Sequence, residues 1–324
     1  MGIENGILWA VFVVVVVVMM ALDLGVFHKK AHVVSVREAL IWTAVWIGIG
    51  LTFAVAIRVW VDPAYIAKPG STAEDLPSLE YLTCYLTEYA LSVDNIFVFL
   101  IIFSYFAIPR ESQHRVLFWG ILGAMAMRAL FLWVGVGAIE RFHWIIWVLG
   151  GLLVLTGIKL FFQKEDSEVD PSKNIVLRLA KRFTPVTDKF HGSKFFVRLD
   201  GKLTATPLFM ALLVVETTDV LFALDSVPAA LGISQNLFVV YTSNIFAILG
   251  LRSLFFAVGG LLKFLHYLKY GLSLILVFVG IKMLLPEEHK VSIGVALGVV
   301  GGILALAVIA SMIRARIMSG KVHD

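Results

Sequence analysis

Nine long apolar runs alternate with polar segments along this chain of 324 residues. A helix that crosses a bilayer needs roughly 20 consecutive apolar residues, and each run has about that length. The first run follows Glu4 and lacks the basic start and small-residue cleavage site of a signal peptide, so we interpret it as a retained helix. The predicted spans are 7–27, 39–60, 81–107, 116–138, 143–162, 205–231, 237–262, 267–285 and 291–313.

The amino-acid composition is that of a membrane protein. Hydrophobic residues make up 60% of the chain, charged residues make up 15%, and the mean hydropathy is +0.91. Soluble domains are nearer 45–50% apolar and about 25% charged. The single cysteine, Cys84, excludes a disulfide scaffold and a cysteine-based metal cluster. We therefore predict an all-α polytopic membrane protein in which residues 1–324 form one transmembrane domain, and we expect neither an enzyme nor a permanently bound cofactor.

The basic residues predict an orientation. If the N-terminus is outside, the inner segments together with Lys269 hold 19 of the 27 lysines and arginines, as the positive-inside rule requires. The outer connections are poor in basic residues, and 59–80 is acidic. This pattern predicts nine transmembrane helices, with the N-terminus outside and the C-terminus inside. The same distribution argues against a nucleic-acid partner.

The long connection at 163–203 carries nine lysines and arginines. Residues of β type flank Asp200 and Gly201, which is typical of a two-residue hairpin loop. We predict a solvated inner loop with a small hairpin, with a regulatory or lipid-contacting role as the alternative.

An internal repeat relates two parts of the chain, about 81–162 and about 205–285. Ionisable residues recur in the same order in both parts: Glu88, Asp94, Arg128 and Lys159 in the first, and Asp219, Asp225, Arg252 and Lys282 in the second. Each unit spans three helices, so the second unit must enter the membrane from the opposite side. Inverted repeats of this kind underlie many secondary transporters, whose substrate site lies near the midplane between the repeats. The flanking helices are 7–27, 39–60 and 291–313.

Several charges fall within the predicted spans. An ionisable side chain at the bilayer centre costs roughly 2.5–3.5 kcal/mol, so such residues usually face a cavity or a partner. Lys159 and Lys282 are close enough to helix ends to extend towards water, and Asp23 is also near a helix end. The deep bases are Arg128 and Arg252, and the deep acids are Glu88, Asp94, Glu216, Asp219 and Asp225. Five acids exceed two arginines, so at least three carboxylates must be protonated, hydrated or bound to cations.

Residues six apart on an α-helix are rotated by roughly 240°. Asp219 and Asp225 therefore do not share a face of a regular helix, and neither do Glu88 and Asp94. Convergence of all five acids requires the third and sixth spans to be broken near Asp94 and Asp225. Polar neighbours that compete for backbone hydrogen bonds, Asn95 and Ser226, and the ring of Pro228 favour such breaks. Asn244 and Ser92 would add oxygen ligands or make ordinary helix–helix hydrogen bonds.

The candidate ligands are all oxygens. Carboxylate and carbonyl oxygens suit manganese, magnesium or calcium, whereas copper and zinc prefer sulfur or imidazole. Acids in such sites also relay protons. The pattern predicts a transporter whose partners are a divalent cation, protons and the lipid bilayer. Ligand type does not separate manganese from calcium.

The chain resembles the TerC family of integral membrane proteins, and its Alx branch in particular. The resemblance lies in EYALSVDNIFVFLIIFSYFAIP at 88–109, ETTDVLFALDSVPAAL at 216–231, SNIFAILGLRSLFF at 243–256 and KYGLSLILVFVGIKML at 269–284. It implies Mn²⁺ export across the bacterial cytoplasmic (inner) membrane. It also implies that the metal path is lined by the five deep acids, with Asn95, Ser226, Asn244, Arg128 and Arg252 in supporting positions. Two alternatives remain open, namely an exporter of another substrate such as Ca²⁺ or a basic amino acid, and a non-transporting membrane partner in metal delivery or stress resistance.

Overall fold

The computed structural model describes residues 3–27, 35–63, 76–162, 174–199, 201–258, 267–286 and 291–320. These residues form ten α-helices and one two-stranded sheet. The elements are α1 (Ile3–Phe27), α2 (Val36–Trp60), α3 (Pro77–Tyr105), α4 (Arg110–Arg141), α5 (Ile145–Phe162), α6 (Ile175–Phe183), β1 (Phe196–Leu199), β2 (Lys202–Ala205), α7 (Pro207–Ile233), α8 (Leu237–Val258), α9 (Leu268–Leu284) and α10 (Ile293–Gly320).

Each of the nine predicted spans contains a helix in the described residues, and the helix ends lie within seven residues of the predicted ones. The predicted end of the seventh span, at 262, lies outside the described residues. Within the described ranges, α2, α4, α5, α7, α8 and α10 are long and apolar enough to cross a bilayer by length and composition alone. Many large apolar side chains remain exposed on the outside of the bundle, including Trp133 at 67% and Leu155 at 68%. Exposed apolar surface on this scale marks contact with lipid. The chain is an all-α polytopic membrane protein.

Polar contacts fix the helix starts. Ser35 caps α2 by accepting a hydrogen bond from the backbone N–H of Glu38, the spacing of a capping box. The Asp62 carboxylate accepts a hydrogen bond from the backbone N–H of Ser78 at the start of α3 and pairs with Arg58 at 3.2 Å.

The predicted hairpin is confirmed. β1 and β2 pair antiparallel around residues 200 and 201, and Gly201 has a φ of 76°; Asp200 lies outside the described residues.

Several of the largest helix contacts pair in the way that a two-fold relation between the repeats would produce. If α3, α4 and α5 are exchanged with α7, α8 and α9, the contact of α3 with α8 becomes the contact of α7 with α4, and both contacts are extensive. The contacts of α5 with α9, of α3 with α7 and of α4 with α8 map onto themselves. Within the described residues, the contact of α7 with α9 has no counterpart of similar extent between α3 and α5, and the inverted repeat stays a prediction.

The seam between α5 and α9 is packed backbone against backbone. A Cβ atom on Gly280 would lie 2.8 Å from the carbonyl oxygen of Gly150, and one on Gly157 would lie 2.9 Å from that of Ser273. The Ser273 hydroxyl also donates to the Gly157 carbonyl at 2.6 Å. Gly157 and Gly280 occupy equivalent positions in the two repeats, as do Gly150 and Ser273. The two contacts are therefore related by the exchange of repeats.

The prediction that the third and sixth spans are broken is wrong. Both α3 and α7 are continuous, and Pro228 lies within α7. The physical reason is that an unpaired backbone group costs several kcal/mol in lipid, whereas Pro228 removes only one donor. The hydroxyl of Ser226, which was expected to compete with the backbone, has no hydrogen-bond partner, and other hydroxyl groups of α7 bond within the helix. Thr217 and Thr218 donate to the carbonyls of Leu213 and Val214, both at 2.6 Å.

The seam predicts opposite effects for two alanine substitutions on α5. Gly157→Ala places a methyl group against backbone atoms of α9, so we expect it to destabilise the protein by about 1–3 kcal/mol through overpacking. Gly151→Ala is the matched control, because a Cβ there has nothing within 4 Å, and it should be neutral or slightly stabilising. Thermal unfolding in detergent measures both, and equal melting temperatures would contradict the seam.

Candidate cation site

A buried ion pair lies at the centre of the bundle. Glu88 on α3 and Arg128 on α4 are 1% and 3% exposed, and a guanidinium nitrogen of Arg128 contacts Oε1 of Glu88. The hydroxyl of Ser92, one turn further along α3, donates to the same oxygen at 3.2 Å. The other carboxylate oxygen of Glu88, Oε2, is buried and has no hydrogen-bond partner. Glu88 therefore retains one free acceptor within the membrane.

The second repeat also holds Arg128 in place. Its Nη1 donates to Oδ1 of Asn244 on α8 at 2.9 Å, and Nδ2 of Asn244 donates to the Val240 carbonyl at 3.0 Å. Asn244 thus makes the helix–helix hydrogen bond that the sequence left open as one of two roles. This contact joins α4 of the first repeat to α8 of the second.

Asp219 on α7 is buried, with 7% of its surface exposed. It interacts electrostatically with both Arg128 and Glu88. Asp219, Arg128 and Asn95 line a cavity of about 10 Å³, which is room for about one water molecule. The structure therefore brings Glu88, Asp219 and Asn95 together around one arginine.

Glu216, one turn before Asp219, packs against α4 at Gly123. A Cβ atom on Gly123 would overlap the Glu216 carboxylate, so the absence of a side chain there makes the space for the acid. Glu216 and Asp219 repel each other electrostatically. The sequence did not reveal this role for Gly123, because close approach of two helices depends on tertiary packing.

Asp225 does not join this group. It is half-buried on another side of α7, where it hydrogen-bonds Thr156 and interacts electrostatically with Lys159, both on α5. The six-residue rotation predicted this separation for a continuous helix. The sequence reasoning missed Thr156. Lys159 was expected to extend towards water, and in the structure it also interacts electrostatically with Asp225. The hydroxyl of Ser226 is buried without a hydrogen-bond partner, and Arg252 is buried on α8.

Asp94 is helical within α3, but its side chain and that of Asp23 lie outside the described part of the structure. Among the described residues, no group of three or more histidines, cysteines, aspartates or glutamates is arranged to hold a metal ion. The described acids fall into two groups, Glu88 and Asp219 at Arg128 with Glu216 next to Asp219, and Asp225 at Lys159.

Comparison with known proteins identifies the family. The profile of the integral membrane protein TerC family matches residues 74–318. The chain belongs to the TerC family. The residues of both groups lie within the matched range. No solved structure matches the chain.

Full-length relatives support this membership. An uncharacterised membrane protein of Myxococcus xanthus is 49% identical over 309 residues, covering 95% of this chain and 93% of its own length. A protein of Escherichia coli strain K12 with the provisional name membrane-bound redox modulator Alx is 41% identical over 304 residues, covering 94% of this chain and 93% of its own length. A membrane protein of Rickettsia bellii is 38% identical, covering 96% of this chain and 98% of its own length.

The ion pair predicts a strongly coupled double substitution. Arg128→Met leaves the Glu88 carboxylate buried without its cation, so we expect a loss of about 3–5 kcal/mol of stability. Adding Glu88→Gln removes the stranded charge and should restore a large part of that loss. Denaturation of the two single variants and the double variant in detergent measures the coupling. Additive effects would show that Arg128 and Glu88 do not interact.

Proposed function

We propose that this TerC family protein exports a divalent cation, Mn²⁺, across the cytoplasmic membrane in exchange for protons. The observation that carries the proposal is the free Oε2 of Glu88, an unpartnered carboxylate oxygen within the bundle. Asp219 adds a second acid at the same arginine, and Glu216 adds a third acid next to Asp219. This local excess of acid attracts cations and protons and repels oxyanions.

Arg128 acts as a built-in cation among these acids. Its guanidinium neutralises Glu88 and interacts with Asp219. A metal ion that binds Glu88 and Asp219 competes with Arg128 for the same carboxylates. Binding of the ion would thereby be coupled to movement of Arg128 and α4.

Protons would neutralise the buried carboxylates after the metal ion has left. A carboxylate that has released its cation into the outer medium is stabilised in the membrane when it binds a proton. Return of the protonated acids to the inner side completes an exchange of one metal ion for protons. The contacts expected of an inverted repeat support alternating access as the motion, since two related halves can open in turn to each side.

Some relatives are named as redox modulators, and metal transport explains such a role better than disulfide chemistry of this chain. The 324 residues contain one cysteine, Cys84, which is 1% exposed, so no disulfide forms within them. Manganese is a redox-active metal, and control of its concentration would connect export with a redox effect.

A zwitterionic substrate is the second candidate. Arg128 with Asp219 and Glu88 offers a cation for a carboxylate and acids for an amine, the pair that a basic amino acid needs. The small central cavity favours the metal ion. Uptake of Lys against uptake of Mn²⁺ in proteoliposomes separates the two candidates.

The proposal predicts that loss of a site carboxylate abolishes metal export. We expect cells that express Glu88→Gln, Asp219→Asn or Asp94→Asn to accumulate manganese like cells without the protein, because each variant should bind the ion at least about tenfold more weakly. The measurement is total cell manganese after a Mn²⁺ load, with protein levels in the membrane compared in parallel.

Glu140→Gln is the matched control. Glu140 is an exposed acid near the end of α4, away from both groups of acids, and its variant should keep manganese as low as the wild type does. Equal manganese with and without the wild-type protein would remove the export proposal.

Proton exchange predicts a second signal. An outward Mn²⁺ gradient imposed on proteoliposomes should drive protons in the opposite direction, which a trapped pH-sensitive dye reports. Metal flux without a change in internal pH would leave export but exclude the exchange.

A further inference from the structure

Three side chains on α3 form a line that leads from the end of the bundle to the central site. Glu80, Cys84 and Glu88 are four residues apart and therefore share one face of the helix. The line covers about 12 Å along the helix axis. Its two ends are acids, and its middle is the only cysteine of the sequence.

The first end of the line opens into a large cavity. Glu80 lines a space of about 670 Å³ together with His143, Trp147, Ser234 and Lys282, and its Oε2 accepts a hydrogen bond from the Ser234 hydroxyl at 2.5 Å. The ends of α7 and α9 and the starts of α5 and α10 surround this space. These helix ends lie on the predicted outer face.

The middle of the line is closed. Cys84 is 1% exposed, and its Sγ is 3.8 Å from the carbonyl oxygen of Ala230 on α7. The thiol belongs to a buried apolar cluster that includes Val227 and Val240. This layer separates the outer cavity from Glu88, whose free Oε2 lies one helical turn beyond it.

On the inner side of the central site, large buried side chains fill the space between the helices. Beyond Asn95, α3 contributes Phe99, Ile102 and Phe103 to the large buried cluster, and Phe103 packs edge-to-face on Phe255 of α8. Several aromatic layers would have to separate for the site to open there. On the other side, about two turns of α3 separate Glu88 from Glu80, which lines the outer cavity.

We propose that the Glu80–Cys84–Glu88 face of α3 is the outer release path for a divalent cation, with Cys84 at its constriction and Glu80 as the carboxylate that receives the ion in the outer cavity. This proposal rests on the proposed function, because it assigns the exit of the same central site. Lys282 in the same cavity limits how tightly the ion is held there, and an ion that is to leave must bind weakly.

The native cysteine gives a direct test without engineering the wild type. A membrane-impermeant cationic methanethiosulfonate reagent, added to the outside of intact spheroplasts, should label Cys84, and labelling should stop Mn²⁺ export. The same reagent added to inverted membrane vesicles should label it far more slowly. Mass spectrometry of the purified protein measures the labelled fraction against time.

Thr83→Cys in a Cys84→Ala background is the matched control. Thr83 is at the same depth on α3 and is fully buried, but it lies off the line. We expect Cys84 to react at least about tenfold faster than Cys at 83, because labelling follows the population in which the path is open. Equal rates, or labelling from the inside alone, would overturn the path.

The charge of the reagent tests Glu80. A cationic reagent should label Cys84 faster than an anionic reagent of similar size, because Glu80 and Glu88 flank the thiol. Glu80→Gln should lower that ratio several-fold. A ratio that stays the same in Glu80→Gln would remove Glu80 from the path while leaving Cys84 in it.

The outcomes separate this proposal from the proposed function. If wild-type protein exports Mn²⁺ and Cys84 reacts no faster than the control, the release path is wrong and the function stands. If Mn²⁺ export is absent and Cys84 still reacts selectively from outside, the path exists and carries another substrate.

Discussion

The cost of burying carboxylates in lipid governs the centre of this protein. Each ionised acid within the bundle needs a base, a proton, a hydrogen-bond donor or a metal ion. Arg128 meets part of this need by contacting Glu88 and interacting with Asp219. Asn244 holds Arg128 from the other repeat, so the positions of α3, α4, α7 and α8 all depend on the charge at one guanidinium group.

Much of this architecture follows from the sequence, because lipid imposes strict rules on a chain. Nine spans were predictable from the length of the apolar runs, and the hairpin was predictable from the residues around Gly201. The predicted helix breaks were wrong for the same reason, because an unpaired backbone group is costly in lipid and α3 and α7 keep their backbone hydrogen bonds. The sequence could identify five unusual acids, but it could not show that Asp225 faces Thr156 while Asp219 faces Arg128. That division depends on which helices pack on each side of α7.

Several glycines are required by close packing between helices, which their residue type alone does not reveal. Gly123 leaves room for the Glu216 carboxylate, and Gly157 and Gly280 allow α5 and α9 to meet along their backbones. A sequence pattern identifies these residues only as small. Their equivalence in the two repeats is the signal that would have singled out Gly157 and Gly280, because the repeat matched Gly-Ile-Lys in both units.

The basic partners of Asp219 and Asp225 on α7 belong to the other repeat. Asp219 interacts with Arg128 on α4, and Asp225 interacts with Lys159 on α5, and both bases belong to the first repeat. A movement of one repeat against the other separates these charges, which is costly unless another cation replaces them. A metal ion or protons would supply that charge and so stabilise the second arrangement, since a ligand shifts a conformational equilibrium only by its different affinity for the two states. The distribution of acids and bases between the repeats thus gives a physical reason for cation binding and movement of the repeats to occur together.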